Sequence, residues 1–252
     1  MIDNPREYET MARVETDHWW YQSLHSKVYN TLADHFGHRD IAILDAGCGT
    51  GGLMQFLNTQ GCKDVVGFDL SALAVKHCVK RGLTACVGDL WELSDLYSGR
   101  QFDCIVSNDT LYHIEAEKRM QFLRQASTRL HADGIMILNL PALHCLRGSH
   151  DKAVGITHRF TKAQMTSLAS QAGLTIVRMD YWPFVLSVPI WLIRTSQRML
   201  GRDRVAADLP ASDLKTYPPL LNRLLRNLVT LETRFVPAAP FGSSLFVVLQ
   251  SR

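Results

Sequence analysis

Residues 41–52 read Ile-Ala-Ile-Leu-Asp-Ala-Gly-Cys-Gly-Thr-Gly-Gly, and this stretch decides the fold. Its apolar start has the composition of a buried strand. The glycines that follow permit a tight turn and let a ligand approach the backbone. A helix is expected from Gly51 onward, which places the turn at the positive end of that helix. A strand, a glycine turn and a helix in this order are typical of dinucleotide-binding folds.

Apolar runs and amphipathic stretches alternate along the rest of the middle of the chain. The further strands are expected at 64–69, 84–88, 102–107, 135–139, 174–180 and 245–250, with helices between most of them. Strands that are apolar along their whole length and are separated by helices indicate a parallel sheet covered on both faces. The sequence therefore predicts an α/β, doubly wound, Rossmann-like domain.

Two segments fall outside this alternation and divide the chain into three parts. Residues 1–40 have helical character and contain the aromatic cluster His-Trp-Trp-Tyr at 18–21, so they are predicted to form an N-terminal helical cap. The ligand-binding core is expected to comprise residues 41–181 plus 244–252. Residues 182–243 form a long apolar and basic insertion between the last two strands.

The charge of the chain is unevenly distributed. The 252 residues carry 27 Lys and Arg against 24 Asp and Glu, a net charge of +3 that does not indicate a nucleic-acid-binding protein. Residues 182–252 hold nine of these basic residues and four of the acidic ones, whereas residues 1–181 hold 18 and 20. The positive excess therefore belongs to the last part of the chain.

The cysteines and the N-terminal residues predict the compartment. The six cysteines have no metal-ligand spacing and are expected to lie among apolar residues, and the first residues lack the apolar stretch of a signal peptide. The most apolar window, residues 182–193, is too short to span a bilayer and contains two prolines. These features indicate a reducing cytoplasm, with a peripheral position on the inner face of the membrane as the alternative.

Acidic residues at the ends of the first three strands predict the ligand. Asp45 lies two residues before the first glycine of the turn, where a carboxylate repels a pyrophosphate but attracts a cationic sulfonium amino acid. Asp69 follows about twenty residues after the glycine turn, where an acid can accept both ribose hydroxyls. Asp89 follows the third strand, near the expected position of an adenine amino group. We therefore interpret the ligand as S-adenosylmethionine rather than a nicotinamide dinucleotide.

On these residues the sequence resembles the class I S-adenosylmethionine-dependent methyltransferases. The resemblance covers residues 41–250 and rests on the segments 43–51, 66–69, 88–89, 102–114 and 133–134. It implies a seven-stranded sheet of order 3-2-1-4-5-7-6 with the last strand antiparallel, and S-adenosylhomocysteine as the product. The predicted cofactor-binding residues include those implied by the resemblance, their neighbours in the same turns, and two aromatic residues of the cap as a lid. They are Asp45, Ala46, Gly47, Gly49, Gly51, Asp69, Leu70, Gly88, Asp89, Leu90, Asn108, Asp109, Trp20 and Tyr21.

A narrower resemblance concerns the acceptor. Residues 15–20, 158–161 and 240–245 are similar to a bacterial branch of these enzymes found with lipid, glycan and polyketide pathways. The hypothesis is methyl transfer to a hydrophobic small-molecule or lipid-like acceptor, with O-methylation favoured. The alternatives are an RNA or protein methyltransferase and a non-catalytic S-adenosylmethionine-binding scaffold. Nucleic acid is not expected as a partner, because Asn-Asp-Thr at 108–110 replaces the Asn-Pro-Pro or Asp-Pro-Pro of base-amino methyltransferases.

Three residues are candidates for catalysis: Tyr112, His113 and His158. Transfer to oxygen removes an acceptor proton, which a neutral imidazole can accept. Packing is an equal alternative for His113, and a surface loop is the alternative for His158. Together with the insertion, residues 108–113 and 141–160 are expected to line the acceptor side. No metal site is expected.

The aromatic cap and the insertion leave alternatives open. Trp20 and Tyr21 either close over the cofactor or anchor a helix on the core. The insertion has leucines at helical spacing with polar and basic residues on the other side of the helix. Those leucines are Leu220, Leu221, Leu224, Leu225 and Leu228, opposite Asn222, Arg223, Arg226 and Asn227. They pack as a cap over the acceptor pocket, lie on an anionic membrane surface, or dock an acidic acyl carrier protein.

Overall fold

Seven strands form one mixed sheet in the computed structural model, which describes residues 5–147, 151, 155–199, 217–236 and 239–251. The strands are β1 (Ala42–Ala46), β2 (Asp64–Asp69), β3 (Thr84–Val87), β4 (Phe102–Asn108), β5 (Leu130–Pro141), β6 (Leu174–Trp182) and β7 (Ser244–Ser251). Their order is β3-β2-β1-β4-β5-β7-β6, and β7 is antiparallel to both neighbours. The predicted fold class and strand order are confirmed.

Helices cover both faces of this sheet. They are α1 (Pro5–Val14), α2 (Trp19–Phe36), α3 (Gly52–Thr59), α4 (Ala72–Lys80), α5 (Ala116–Arg129), α6 (Lys162–Gln171), α7 (Phe184–Met199) and α8 (Pro219–Phe235). Local sequence fixes where several of them begin. The Ser71 hydroxyl accepts a hydrogen bond from the Ala74 amide at the start of α4, and Thr161 and Gln164 form a reciprocal capping box at the start of α6.

The core has two layers because successive residues of a strand point to opposite faces. In β1, Leu44 packs into one layer with Phe68, whereas Ile43 packs into the other with Met54 and Val106. All five side chains are almost completely buried. Burial on both faces explains why the strands are apolar throughout, and it leaves the loops at the carboxyl edge as the place for polar chemistry.

The fifth strand differs from the prediction. It begins at Leu130, directly after α5, rather than at Ile135. Phe102 pairs with Leu130 and Cys104 pairs with Ile135, so residues 131–134 bulge out of the ladder. The expected Asp133-Gly134 turn is therefore a bulge inside β5, because backbone pairing with β4 resumes on both sides of it.

The side of α8 that faces the body of the protein carries Asn222, Val229 and Glu232. The Asn222 side-chain oxygen accepts a hydrogen bond from the Trp19 amide at 2.7 Å, and its amide donates to the Asp17 carbonyl. Leu220 is 82% exposed and Leu224 is 55% exposed. Packing of the leucines as a cap over a pocket is therefore wrong for these two residues, because docking through Asn222 turns them to solvent.

Parts of several predicted segments lie outside the described residues: 1–4, 148–150, 152–154, 200–216, 237–238 and 252. Within the described residues, no helix is long and apolar enough to cross a membrane. Cys145 is exposed, in contrast to the expectation of apolar surroundings for every cysteine.

Candidate functional site

The glycine turn is held from both sides by neighbouring strands. The Gly47 and Cys48 amides both donate to the Phe68 carbonyl of β2, at 2.8 and 2.9 Å. From β4, the Ser107 hydroxyl donates to the Ala46 carbonyl at 2.9 Å. Gly47 has a φ of +81°, and a Cβ on it would lie 2.3 Å from the Thr110 methyl group. Both facts require glycine at this position.

Asp69 joins the end of β2 to the glycine turn. One carboxylate oxygen accepts a hydrogen bond from the Gly49 amide, and the other accepts one from the Ser71 amide, each at 2.9 Å. Each oxygen keeps acceptor capacity for a further donor. The structure thus fixes the predicted ribose-binding carboxylate against the predicted glycine, and it is half-buried at the carboxyl edge.

Asp45 is a buried carboxyl group in an acidic environment. It is 2% exposed. Burial raises the pKa of Asp45 to about 8, and the nearby Asp69 and Glu15 carboxylates act in the same direction. A cation placed beside Asp45 would offset both effects and stabilise the ionised form of its carboxyl group. Asp45 therefore suits the ammonium and sulfonium charges of S-adenosylmethionine.

The raised pKa of Asp45 predicts a pH dependence. Above pH ~4 the unfolded chain has released this proton, whereas the folded protein retains it until about pH 8. This group therefore lowers the free energy of unfolding as the pH rises between those values. We expect Asp45→Asn to flatten that decrease, measured by urea denaturation across this range. A pH profile parallel to that of the unmodified protein would contradict the raised pKa.

Glu15 was not among the predicted cofactor residues, yet it lies over the glycine turn. Its carboxylate accepts a hydrogen bond from the Thr50 hydroxyl at 2.5 Å and forms an ion pair with Arg81. A Cβ on Gly52 would lie 2.5 Å from this carboxylate. Glu15 is separated from the turn by more than thirty residues in sequence, so only the tertiary structure reveals the contact.

The third strand supplies the remaining part of the predicted cofactor side. The Gly88 amide donates to the Asp69 carbonyl at 3.1 Å, which brings the ends of β2 and β3 together. Asp89 is buried and accepts a hydrogen bond from the Leu90 amide at 2.7 Å. Leu70 is 43% exposed beside Asp69, so it presents an apolar surface at the same edge. This surface suits the flat face of an adenine ring.

The end of β4 carries an acceptor atom that the described residues leave without a partner. The side-chain oxygen of Asn108 is buried and makes no hydrogen bond there. A buried acceptor without a donor is costly, and a ligand ammonium group would remove that cost. This orphan oxygen, the Asp45 carboxylate and the Gly47 cradle are the observations on which S-adenosylmethionine fits the site.

Asn139 links the ends of three strands, and it too was missed from the sequence. Its side-chain amide donates to both carboxylate oxygens of Asp109, at 3.1 and 3.0 Å. Its side-chain oxygen accepts a hydrogen bond from the Trp182 indole at 2.9 Å. Asp109 has a φ of +55° and donates its amide to the Asn139 carbonyl. This network fixes the loop after β4.

The aromatic residues of the cap continue this network. The Trp20 ring stacks on Trp182, with ring centroids 4.7 Å apart and planes 6° apart. Trp20 thus contacts the end of β6, which favours the anchoring alternative over the lid. Tyr21 is near Tyr112, whose pKa it helps to raise. The structure therefore brings Tyr21 to the side of the site where the acceptor is expected.

The candidate catalytic residues occupy different environments. Tyr112 is 6% exposed, and burial, followed by the Asp109 charge, raises the pKa of Tyr112 well above its usual range. A phenolate there is strongly disfavoured, so Tyr112 does not suit proton abstraction. His113 is exposed on its turn, although its ring packs on Tyr112 with centroids 4.1 Å apart. Loss of water around this ring lowers the pKa of His113 to about 4.

The predicted acceptor segment contains a buried ion pair rather than a free surface loop. Asp151 accepts two hydrogen bonds from Arg159, at 2.6 and 2.7 Å, and both residues are buried. Arg159 also donates to the Ala142 carbonyl after β5 at 2.7 Å. His158 is half-buried and packs edge-on against Phe160. Within the described residues, no group of three or more potential ligands is arranged to hold a metal ion.

Comparison with known proteins identifies the core. A family model described as a methyltransferase domain matches residues 43–134, which include the glycine turn and both Asp69 and Asp89. These residues form a class I methyltransferase domain. The family model and the fold shared with solved S-adenosylmethionine-dependent methyltransferases confirm the predicted family and cofactor.

A curated relative agrees with this assignment. The malonyl-[acyl-carrier protein] O-methyltransferase of Priestia megaterium is 31% identical over 138 residues, which are 51% of this chain and 47% of the relative. The chain thus spans about half the length of the curated relative that it matches. The similarity supports the methyltransferase domain and leaves the acceptor to be proposed.

Solved structures share the fold at low sequence identity. A TehB-like S-adenosylmethionine-dependent methyltransferase from Corynebacterium glutamicum superposes with a TM-score of 0.57 at 19% identity, covering 99% of this chain and 100% of that one. The magnesium protoporphyrin IX methyltransferase of Synechocystis, solved with bound S-adenosylhomocysteine, gives a TM-score of 0.52 at 22% identity. That match covers 64% of this chain and 76% of the other.

Proposed function

We propose that this protein transfers a methyl group from S-adenosylmethionine to an oxygen atom of a hydrophobic, small-molecule or lipid-like acceptor. The observation that carries the proposal is the convergence of Asp45, the glycine turn and Asp69 at the carboxyl edge of the sheet. In this proposal Asp45 and the Asn108 oxygen attract the cationic methionine end. Asp69 holds the ribose, and Asp89 with Leu70 holds the adenine ring.

The residues after β4 are proposed to organise the transfer. When bound, S-adenosylmethionine supplies a methyl group whose bond to sulfur breaks as the acceptor oxygen forms its bond to carbon. A hydroxyl acceptor must lose its proton at the same stage, and the exposed His113 ring on the turn after β4 is the proposed proton acceptor. Asn139 positions this turn through its hydrogen bonds to Asp109. In the proposal, the fixed turn keeps the methyl acceptor aligned with the methyl group of the cofactor.

Oxygen is the proposed target atom because the curated relative is an O-methyltransferase. That relative acts on a malonyl group attached to an acyl carrier protein, so carrier-bound acyl thioesters join free phenols and fatty or aryl acids as test substrates.

Labelled S-adenosylmethionine provides the test. We expect radioactive methyl groups to appear on a member of the phenol, acid or thioester panel, and S-adenosylhomocysteine to bind in calorimetry. A His113→Gln variant should keep S-adenosylhomocysteine binding but lose transfer to hydroxyl acceptors by roughly 100-fold, the usual share of a general base. Absence of S-adenosylhomocysteine binding at millimolar concentration would overturn the function. If the label appeared on RNA or protein instead, the proposed small-molecule acceptor would be wrong and that macromolecule would take its place.

A further inference from the structure

The exposed apolar residues of this protein are concentrated on two helices. Ten of the fifteen exposed large apolar side chains among the described residues belong to α7 and α8. They are Val185, Val188, Trp191, Leu192, Ile193, Leu220, Leu221, Leu224, Leu231 and Phe235, here named the α7–α8 apolar face. Single exposed apolar residues are normally scattered over a protein surface. A cluster of them marks an interaction site.

The apolar face runs along the whole of α8. Leu220 at its start is 82% exposed and Phe235 at its end is 73% exposed. These residues are about 22 Å apart along the helix axis at 1.5 Å per residue. Leu224 and Leu231 lie between them on the same side of the helix, whereas Val229 and Glu232 on the opposite side are buried.

The charges on the two helices are mostly positive. Five arginines belong to them: Arg194 and Arg198 in α7, and Arg223, Arg226 and Arg234 in α8, of which the three in α8 are exposed. Glu232 is their one acidic residue, and it is 6% exposed. Its carboxylate accepts the amide hydrogens of Phe184 and Val185 at the start of α7. No exposed carboxylate therefore offsets the arginines on these helices.

We propose that the α7–α8 apolar face docks on an anionic lipid surface. Leucines and aromatic residues along one side of a helix, flanked by arginines, have the geometry of a helix that lies in the membrane interface. Anionic lipids supply the opposite charge for the arginines. A second copy of the chain fits less well, because a symmetric contact through this face would bring the arginines of both copies together. An acidic protein would match the charge but must also cover an apolar stripe about 22 Å long.

The proposed docking surface begins at the edge of the sheet that carries the site. The α7 helix follows Trp182 at the end of β6, and β6 runs parallel to β4 and β1 because each of β5 and β6 is antiparallel to β7. The start of α7 and the glycine turn therefore share the carboxyl edge of the sheet. A docked molecule would thus hold its site at the edge where the first membrane-facing helix starts, which suits acceptors dissolved in or anchored to the bilayer.

Vesicle co-sedimentation of the full chain tests the proposal. We expect the protein to pellet with phosphatidylcholine vesicles containing phosphatidylglycerol, and to pellet much less with phosphatidylcholine alone. Arg223→Gln and Arg226→Gln should each weaken partitioning by about fivefold, and added salt should do the same. Leu220→Ser with Leu224→Ser should weaken it by roughly tenfold or more. Val79→Ser, at an exposed position on α4, is the matched control and should pellet normally.

The same variants distinguish the other occupants of this face. Normal binding of S-adenosylhomocysteine by each variant confirms that it is folded. No pelleting with anionic vesicles would overturn the proposal, as would equal pelleting by the leucine pair variant and the unmodified protein. A concentration-dependent dimer that Leu224→Ser dissociates would assign the face to a second copy. Binding to an acidic carrier protein without binding to vesicles would assign it to that partner.

Discussion

Replacing Asp69 with Ala is expected to weaken S-adenosylhomocysteine binding by roughly tenfold to a hundredfold, which corresponds to about 1.5–3 kcal/mol for a hydrogen bond to a charged group. Asp69 holds the amides of Gly49 and Ser71 and keeps acceptor capacity toward the ribose hydroxyls. Its removal therefore affects both the ligand and the turn that cradles the ligand. Isothermal titration calorimetry measures the change in Kd.

Two further variants separate these effects. Asp69→Asn retains an acceptor oxygen and the shape of the side chain, so it should lose less binding than Asp69→Ala. Asp64→Ala removes an acid from the other end of the same strand, where the carboxylate is 54% exposed and paired with Arg100. We expect Asp64→Ala to bind normally. Unchanged affinity in Asp69→Ala would remove this residue from the cofactor site.

Gly47→Ala is expected to lower the free energy of unfolding by roughly 2–5 kcal/mol and to abolish S-adenosylhomocysteine binding. Two costs combine at this position. The positive φ of Gly47 is unfavourable for alanine, and the new Cβ would lie 2.3 Å from the Thr110 methyl group. Urea denaturation measures the stability and calorimetry measures the binding.

The structure provides a control for each cost. Gly82 has a φ of +72°, and a Cβ on it would meet no atom within 4 Å, so Gly82→Ala should show the backbone cost alone, about 1–2 kcal/mol. Combining Gly47→Ala with Thr110→Ser removes the clashing methyl group and retains the hydroxyl that bonds to Ser107. The double variant should recover about 1–3 kcal/mol. Equal destabilisation by Gly47→Ala and Gly82→Ala would contradict the clash.

Most of the fold could be predicted because its signals are local. Apolar runs identify every strand, and the spacing of Asp45, the glycines and Asp69 predicts the cofactor side before any tertiary information. The sequence places the start of β5 five residues late, since the polar residues 131–134 resemble a turn and only pairing with β4 reveals the bulge. Local sequence does not encode such pairing.

The less predictable parts of the site depend on contacts between distant residues. Asn139 looks like an ordinary polar interruption of an apolar strand, and its role follows only from the positions of Asp109 and Trp182. Glu15 reaches the glycine turn from the end of α1 for the same reason. Helical periodicity divides α8 into a leucine face and a basic face, but only the tertiary contacts show that the inward side carries Asn222, Val229 and Glu232.

The attachment of the insertion has a consequence for protein engineering. Trp182 stacks on Trp20 at the base of α7, and Asn222 bonds to the Trp19 amide from α8. The insertion and α2 therefore share one set of anchoring contacts, although more than 140 residues separate them in sequence. A chimera that exchanges residues 182–243 alone would separate Trp182 and Asn222 from these partners, whereas one that transplants residues 17–36 together with them keeps the set. The insertion of this scaffold is therefore exchanged intact only as a pair of segments.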